Sequence, residues 1–281
     1  MKTAYLEPSA VNWIVDNVTN PSSVRDVLAS AGYRPVVGLH VIYELARTFL
    51  VQNQEARGRA LFSFIRDLDP SVSPGSSNLM MQEITKLRTD AAVLPFLDHV
   101  NQVATRAEIT RLAAGVFDSV ARTFIQTREQ DIEKNHPVSM GDYIAGVEDL
   151  RSEDTRAVPN FGTFDRAVSF FQPKVPSLIR DMLQSVVSVE EATALAARLN
   201  DLPAIRSGVR ANLYLMWICI SQRVVPAVDK LDDYRHIIEA SYCDALVSGD
   251  DQLIRTTPKI NPALESLRTP ELLAGSFVSA G

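Results

Sequence analysis

Apolar residues gather into short runs at the two ends of the chain and into helical periodicities between them. Thr3-Ala4-Tyr5-Leu6 reads as a strand that runs into Glu7-Pro8, and a helical pattern follows from Ser9 to about Asn17. Pro21-Ser22-Ser23 opens a second helix ending near Gly32. Pro35-Val36-Val37-Gly38, a short apolar run after a turn signal, predicts a second strand. From Leu39 onward Val41, Ile42, Leu45, Phe49 and Leu50 recur at helical spacing, which places Glu44 on a helix. Strand–helix alternation of this kind predicts a parallel sheet.

The pattern then changes. From about Gln54 to Gln222 one helical period follows another, including Asn78–Leu87, Val189–Leu199 and Ser207–Arg223. Loops are marked by Asp69-Pro70 through Gly75, His136-Pro137, Pro159-Asn160-Phe161-Gly162 and Gln172-Pro173. Strand character returns at Asp244–Ser248, which leads into Gly249 and the acids Asp250 and Asp251. The expected architecture is therefore α/β. Residues 1–53 and 226–258 form a parallel-sheet core flanked by helices, 54–225 a large all-helical insertion, and 259–281 a tail. The helical block either packs on the sheet as a lobe or folds as a separate subdomain. No stretch rich in Gly, Ser or Pro separates independent domains, and no repeat period appears.

Composition narrows the class. A chain of 281 residues with 46% hydrophobic content is globular rather than disordered. Its longest apolar run, Leu213–Ile220, is far shorter than the ~20 residues of a membrane span, so it predicts a buried helix and no membrane partner. No secretory leader is legible at the N-terminus. The two cysteines, Cys219 and Cys243, have no metal-binding or CxxC spacing, so the expectation is reduced thiols in the cytoplasm. The formal net charge of −6 offers no global attraction for nucleic acid, although an acidic metal site would itself add negative charge. No P-loop, GxGxxG, HExxH, GxSxG or EF-hand pattern occurs.

The informative chemistry lies at the strand ends. Glu7 closes the first strand with Ser9 two residues on, and the late strand closes on Ser248-Gly249-Asp250. The C-terminal ends of parallel strands are where open α/β sheets bind ligands. These two segments resemble the PIN family of metal-dependent ribonucleases, which includes toxin-type nucleases. The resemblance covers roughly residues 1–50 and 228–255.

It implies a PIN-like three-layer fold with an acidic metal site. The implied metal-binding acids are Glu7, Glu44, either Asp232 or Asp233 at the start of the helix before the last strand, and Asp250, eighteen residues after Asp232. Such acids would hold Mg²⁺ or Mn²⁺, which favour hard oxygen ligands, and the ion would activate water for phosphodiester hydrolysis. Ser9, Ser248 and His236 would stand behind the acids and orient them. The implied activity is endonucleolytic cleavage of single-stranded RNA, with an antitoxin-like protein partner or a second copy of the chain as further partners. Where the family carries Asp, this chain has Glu7, whose carboxylate reaches ~1.5 Å further. Two other readings stand beside it: a catalytically weak PIN-like module that binds nucleic acid or protein, and a helical interaction protein.

Other residues carry weaker signals. His40 lies four residues before Glu44 and His236 four after Asp232, so each shares a helix face with an acid and can touch metal or phosphate, or be structural. Asp244 reads as structural, and Glu83 is an outside candidate for the site. Arg47, Arg235 and Arg255 are near the acids and suit phosphate contacts. Phe161, Phe164, Phe170 and Phe171 read as core rather than a base-stacking platform.

Overall fold

The computed structural model describes residues 1–127, 129–130, 161–183, 186–222 and 229–277. Its centre is a five-stranded, all-parallel sheet of order β3-β2-β1-β4-β5. The strands are β1 (Lys2–Leu6), β2 (Tyr33–Gly38), β3 (Ser71–Ser73), β4 (Ala245–Ser248) and β5 (Glu265–Arg268). The expected juxtaposition of the three apolar runs holds. β1 is central, with Ala4 opposite Pro35 on one side and Ala245 on the other. Its residues Ala4, Tyr5 and Leu6 are fully buried, as expected for a parallel strand covered on both faces.

Helices flank the sheet. The N-terminal half supplies α1 (Pro8–Asn17), α2 (Val24–Ser30), α3 (Leu39–Ala46), α4 (Glu55–Leu68), α5 (Ser76–Thr89) and α6 (His99–Ala113). Residues 119–127 are also helical. Then come α7 (Phe164–Phe171), α8 (Val175–Met182), α9 (Val189–Ala197), α10 (Pro203–Trp217), α11 (Asp229–Glu239), α12 (Asp251–Ile260) and α13 (Thr269–Phe277). No helix among the described residues is long and apolar enough to cross a membrane.

Two segments differ from the sequence reading. β3 lies inside the stretch read as wholly helical and β5 inside the tail, so the sheet gains an edge strand on each side. The described residues between 76 and 222 form helices and their connections. Leu213, Tyr214, Leu215, Ile218 and Cys219 are buried, as an apolar run all round a helix requires. One core cluster joins both ends of the chain to these helices, with α10 packed against α5, α11 and α12. Phe161, Phe164 and Phe171 lie in that core beside Tyr214 and Trp217, while Phe170 is half exposed. Cys219 and Cys243 are not joined in a disulfide. His136, Pro137 and Pro159 lie outside the described residues.

The strand order fixes where a ligand site belongs. From β1 the chain moves outward through β2 to β3, then returns to the opposite side of β1 as β4. The crevice at such a switch point opens beyond the carboxyl ends of the strands. Glu7 follows β1, Ser248 and Asp250 close β4, and the helix carrying Glu44 leaves β2, all at that end.

Candidate metal centre

Two groups of polar side chains stand at the C-terminal edge of the sheet. The first joins the ends of β1 and β4. Glu7 is buried and serves as the N-cap of α1, with Pro8 at the first helical position, where no backbone N–H is needed. Its carboxylate accepts from Ser9 N (2.9 Å), Ala10 N (3.1 Å), Gly249 N (3.3 Å) and the Ser9 hydroxyl. Ser9 Oγ lies 3.3 Å from Ser248 Oγ and accepts from Gly249 N at 2.8 Å. Asp250 caps α12, accepting from Gln252 N (2.6 Å) and Leu253 N (3.3 Å). The two acids and two serines predicted together are thus linked. Ser9 orients its acid as expected, whereas Ser248 touches the Asp250 backbone rather than its carboxylate.

The second group comes from α3 and α11. Glu44 reaches His40, one turn earlier on the same helix, and His236 on α11. His236 Nε2 lies 3.3 Å from Glu44 Oε2, and His40 Nε2 lies 3.0 Å from Glu44 Oε1. Each residue offers a ligand atom, and the three atoms lie within 4.8 Å of one another. The His40 contact is close but not aligned as a hydrogen bond, so Nε2 is a buried polar atom without a hydrogen-bond partner among the described residues. An ion seated among the three would give that nitrogen a partner. The site therefore fits a metal.

Electrostatics favour the charged forms of Glu44 and His236. Burial pushes the Glu44 carboxyl up. The His236 hydrogen bond, the close His40 contact and the charges of both imidazoles outweigh this, and the net position is far below the usual carboxylate range. Burial pulls His236 down, but the Glu44 hydrogen bond and charge, with smaller contributions from Glu7 and Glu239, leave it raised. The influence of Glu7 on His236 places the two groups in one electrostatic neighbourhood.

A third carboxylate lies deeper. Glu239, one turn after His236, is 2% exposed and accepts from Tyr5 Oη (3.0 Å) and Ser76 N (3.2 Å) at the start of α5. Tyr5 Oη is also 3.1 Å from His236 Nδ1. Burial raises the Glu239 carboxyl; His236, His40, Tyr5 and the Ser76 N–H draw it only part of the way back. Glycine at position 38 makes room for it. A Cβ there would lie 1.8 Å from Glu239 Oε2 and 2.4 Å from Tyr5 Oη.

Among the described residues, the group that converges is not the four-carboxylate cluster expected from the sequence. Glu44 alone of those acids belongs to the converging set, and its partners are imidazoles. Glu7 and Asp250 are drawn back to cap their own helices, because the first N–H groups of a helix are ready partners for an acid at the N-cap. Asp232 and Asp233 lie inside α11 rather than at its start; Asp233 is half-buried and the Asp232 side chain lies outside the described residues. His236 touches Glu44 directly instead of standing behind it.

Glu83 is away from this site. It is completely buried at the start of α10 and accepts from Ala204 N (2.8 Å), Ile205 N (2.8 Å) and Tyr242 Oη (2.7 Å). Asp244 is structural, as expected, accepting from Thr3 N at 2.7 Å and Thr3 Oγ1 at 2.9 Å. Arg47 pairs with Glu129 at 2.6 Å, and Arg255 donates to the Asp251 carbonyl at 3.1 Å.

A cleft of about 850 Å³ opens beside the cluster, lined by His40, Glu239 and Arg235 together with apolar side chains including Leu39, Ile42, Phe117 and Phe124. Phe124 is 63% exposed there. No known protein family, curated protein or solved structure matches this chain.

Proposed function

We propose that the protein is a metal-dependent hydrolase centred on His40, Glu44 and His236, and that it cleaves the phosphodiester backbone of single-stranded RNA. The observation that carries the reading is the convergence of three ligand atoms within 4.8 Å at the carboxyl edge of the sheet. His40 Nε2, Glu44 and His236 Nε2 would hold the ion. Two imidazoles and one carboxylate suit Mn²⁺ or another first-row transition metal better than Mg²⁺, which favours an all-oxygen shell. A bound ion supplies a Lewis acid and a water acidic enough to act as nucleophile near neutral pH.

The chain's own residues define the rest. Glu44 supplies the negative charge that a cation requires. The cleft beside His40 gives a substrate access, and its exposed aromatic Phe124 offers a face on which an unpaired base stacks. Arg235 on the cleft wall is the cation nearest in sequence to His236 and suits a phosphate oxygen. RNA as substrate rests on this lining and on the sequence resemblance.

A second reading has its own observation. With the Glu7 and Asp250 carboxylates tied to helix caps, one carboxylate remains at the centre. That favours a module that binds metal and nucleic acid without cleaving it. Titration calorimetry with Mn²⁺, Zn²⁺ and Mg²⁺, followed by cleavage of unstructured RNA with each metal, separates the readings. Metal binding with cleavage supports the hydrolase, and metal binding without cleavage supports the module. Absence of binding by any of them rejects the metal centre.

A further inference from the structure

We propose that Tyr5 and Glu239 form a buried relay that holds His236 with its proton on Nδ1, leaving Nε2 as the metal ligand. The inference rests on the metal centre proposed above and adds two positioning residues to it. The geometry is a chain of three groups. Tyr5 Oη stands 3.1 Å from His236 Nδ1 and 3.0 Å from Glu239 Oε2. A tyrosine hydroxyl carries a single hydrogen, so it donates to one neighbour and accepts from the other. If it donates to the Glu239 carboxylate, its oxygen accepts the His236 Nδ1–H, and the Nε2 lone pair faces Glu44 and His40. If the chain ran the other way, Tyr5 would donate to Nδ1 and the ring proton would sit on Nε2. That proton would block a metal.

Three features select the first direction. Ser76 N–H, at the start of α5, donates to Glu239 Oε1 and leaves Oε2 for the Tyr5 hydroxyl. The positive end of the helix favours negative charge at that spot. The absence of a side chain at Gly38 lets the carboxylate press against the end of β2. The orientation of a metal-binding imidazole is commonly fixed through its other nitrogen, and loss of such a partner costs roughly 10- to 100-fold in metal affinity.

Two substitutions separate the relay from mere packing. Tyr5→Phe keeps the ring and removes the hydroxyl. In Glu239→Gln, Ser76 N–H selects the amide oxygen at the Oε1 position, so the amide nitrogen faces Tyr5 and donates to it. The Tyr5 hydroxyl must then donate to His236 Nδ1, which moves the ring proton to Nε2. The experiment measures Mn²⁺ and Zn²⁺ affinity by calorimetry. It also records ¹⁵N shifts of the His236 ring in the Zn²⁺-loaded and metal-free proteins, with thermal melts as a control for folding. The expected result is an Nδ1–H signature in the Zn²⁺-loaded wild type and a 10- to 100-fold loss of affinity in both variants. Folded variants with unchanged affinity and an unchanged His236 signature overturn the relay while leaving the metal site standing. A wild type that binds neither ion overturns the site and the relay together. Should Tyr5→Phe fail to fold, Glu239→Gln carries the same test alone.

Discussion

His236 Nε2 lies 3.3 Å from Glu44 Oε2 although the two residues are 192 positions apart in sequence. The contact joins the helix leaving β2 to the helix that precedes β4, the two strands that flank β1. It ranks the acids at the site, and that ranking leads to the first expectation.

Glu44→Gln should abolish Mn²⁺ binding and reduce any RNA cleavage by orders of magnitude, because it removes the one carboxylate of the converging group. Asp250→Asn should do much less, since Asn also caps helices well. Asp250→Ala should cost about 1 kcal/mol through loss of the α12 cap. Calorimetry and urea melts of the three variants decide the matter. Equal losses of metal affinity for Asp250→Asn and Glu44→Gln would return the site to the four-acid arrangement.

Gly38→Ala tests the close approach of Glu239 to the sheet. The added methyl meets Glu239 Oε2 and Tyr5 Oη head on, so one of them must move. Destabilisation of about 1–3 kcal/mol is expected for overpacking of this kind. Combining it with Glu239→Ala should restore part of the loss, because residues in contact do not behave additively. Additive losses in the double variant would show that the methyl is accommodated elsewhere.

Glu83 provides a control on another helix. Removing its carboxylate by Glu83→Ala leaves two backbone donors and the Tyr242 hydroxyl unsatisfied in the interior. A loss of about 3 kcal/mol is expected from the burial of unpaired donors. Metal affinity of the folded fraction should not change. A variant of normal stability with weakened metal binding would place Glu83 at the site after all.

The pH profile of the metal-free protein follows from the two shifted groups. His236 is raised in the folded state, so its contribution is complete below its unfolded value of about 6.5 and fades as pH rises through the folded one. Glu44 is depressed, so its contribution is complete above about 4.3 and fades only as pH falls through its low folded value. Stability in EDTA should therefore be greatest between those limits and decline from about pH 6.5 upward. Melting temperatures from pH 4 to 9 test this, with Glu44→Gln expected to flatten the alkaline decline. A wild-type curve that rises with pH in that range would contradict the charge assignment.

Much of the fold was legible because β1, β2 and β4 are short apolar runs bounded by Pro, Gly and Ser. β3 was not, since Ser71-Val72-Ser73 is three residues between two prolines and carries no periodicity. β5, Glu265-Ser-Leu-Arg, is an edge strand with no buried residue, so its composition matches a loop. At the site, Glu44 stood out as an acid among apolar helical neighbours. Glu7 and Asp250 stood out equally, yet the sequence also held their capping role: Glu7 precedes a proline and Asp250 begins a helical period. Glu239 resembled an ordinary surface acid near a helix end. Its one signal was a spacing of three from His236, which becomes meaningful only once Tyr5 and Gly38 are known to lie beneath it.

Because β1 pairs with β4, one edge of the first strand must wait for residues made more than two hundred positions later. Thr3 and its partner Asp244 are separated by 241 positions. Throughout translation the growing chain carries an apolar strand with one side unsatisfied, and unpaired edges of that kind attract other chains. The same delay withholds His236 from Glu44. A ribosome that stalls before codon 236 leaves a chain with two of the three converging side chains, His40 and Glu44, and without the third.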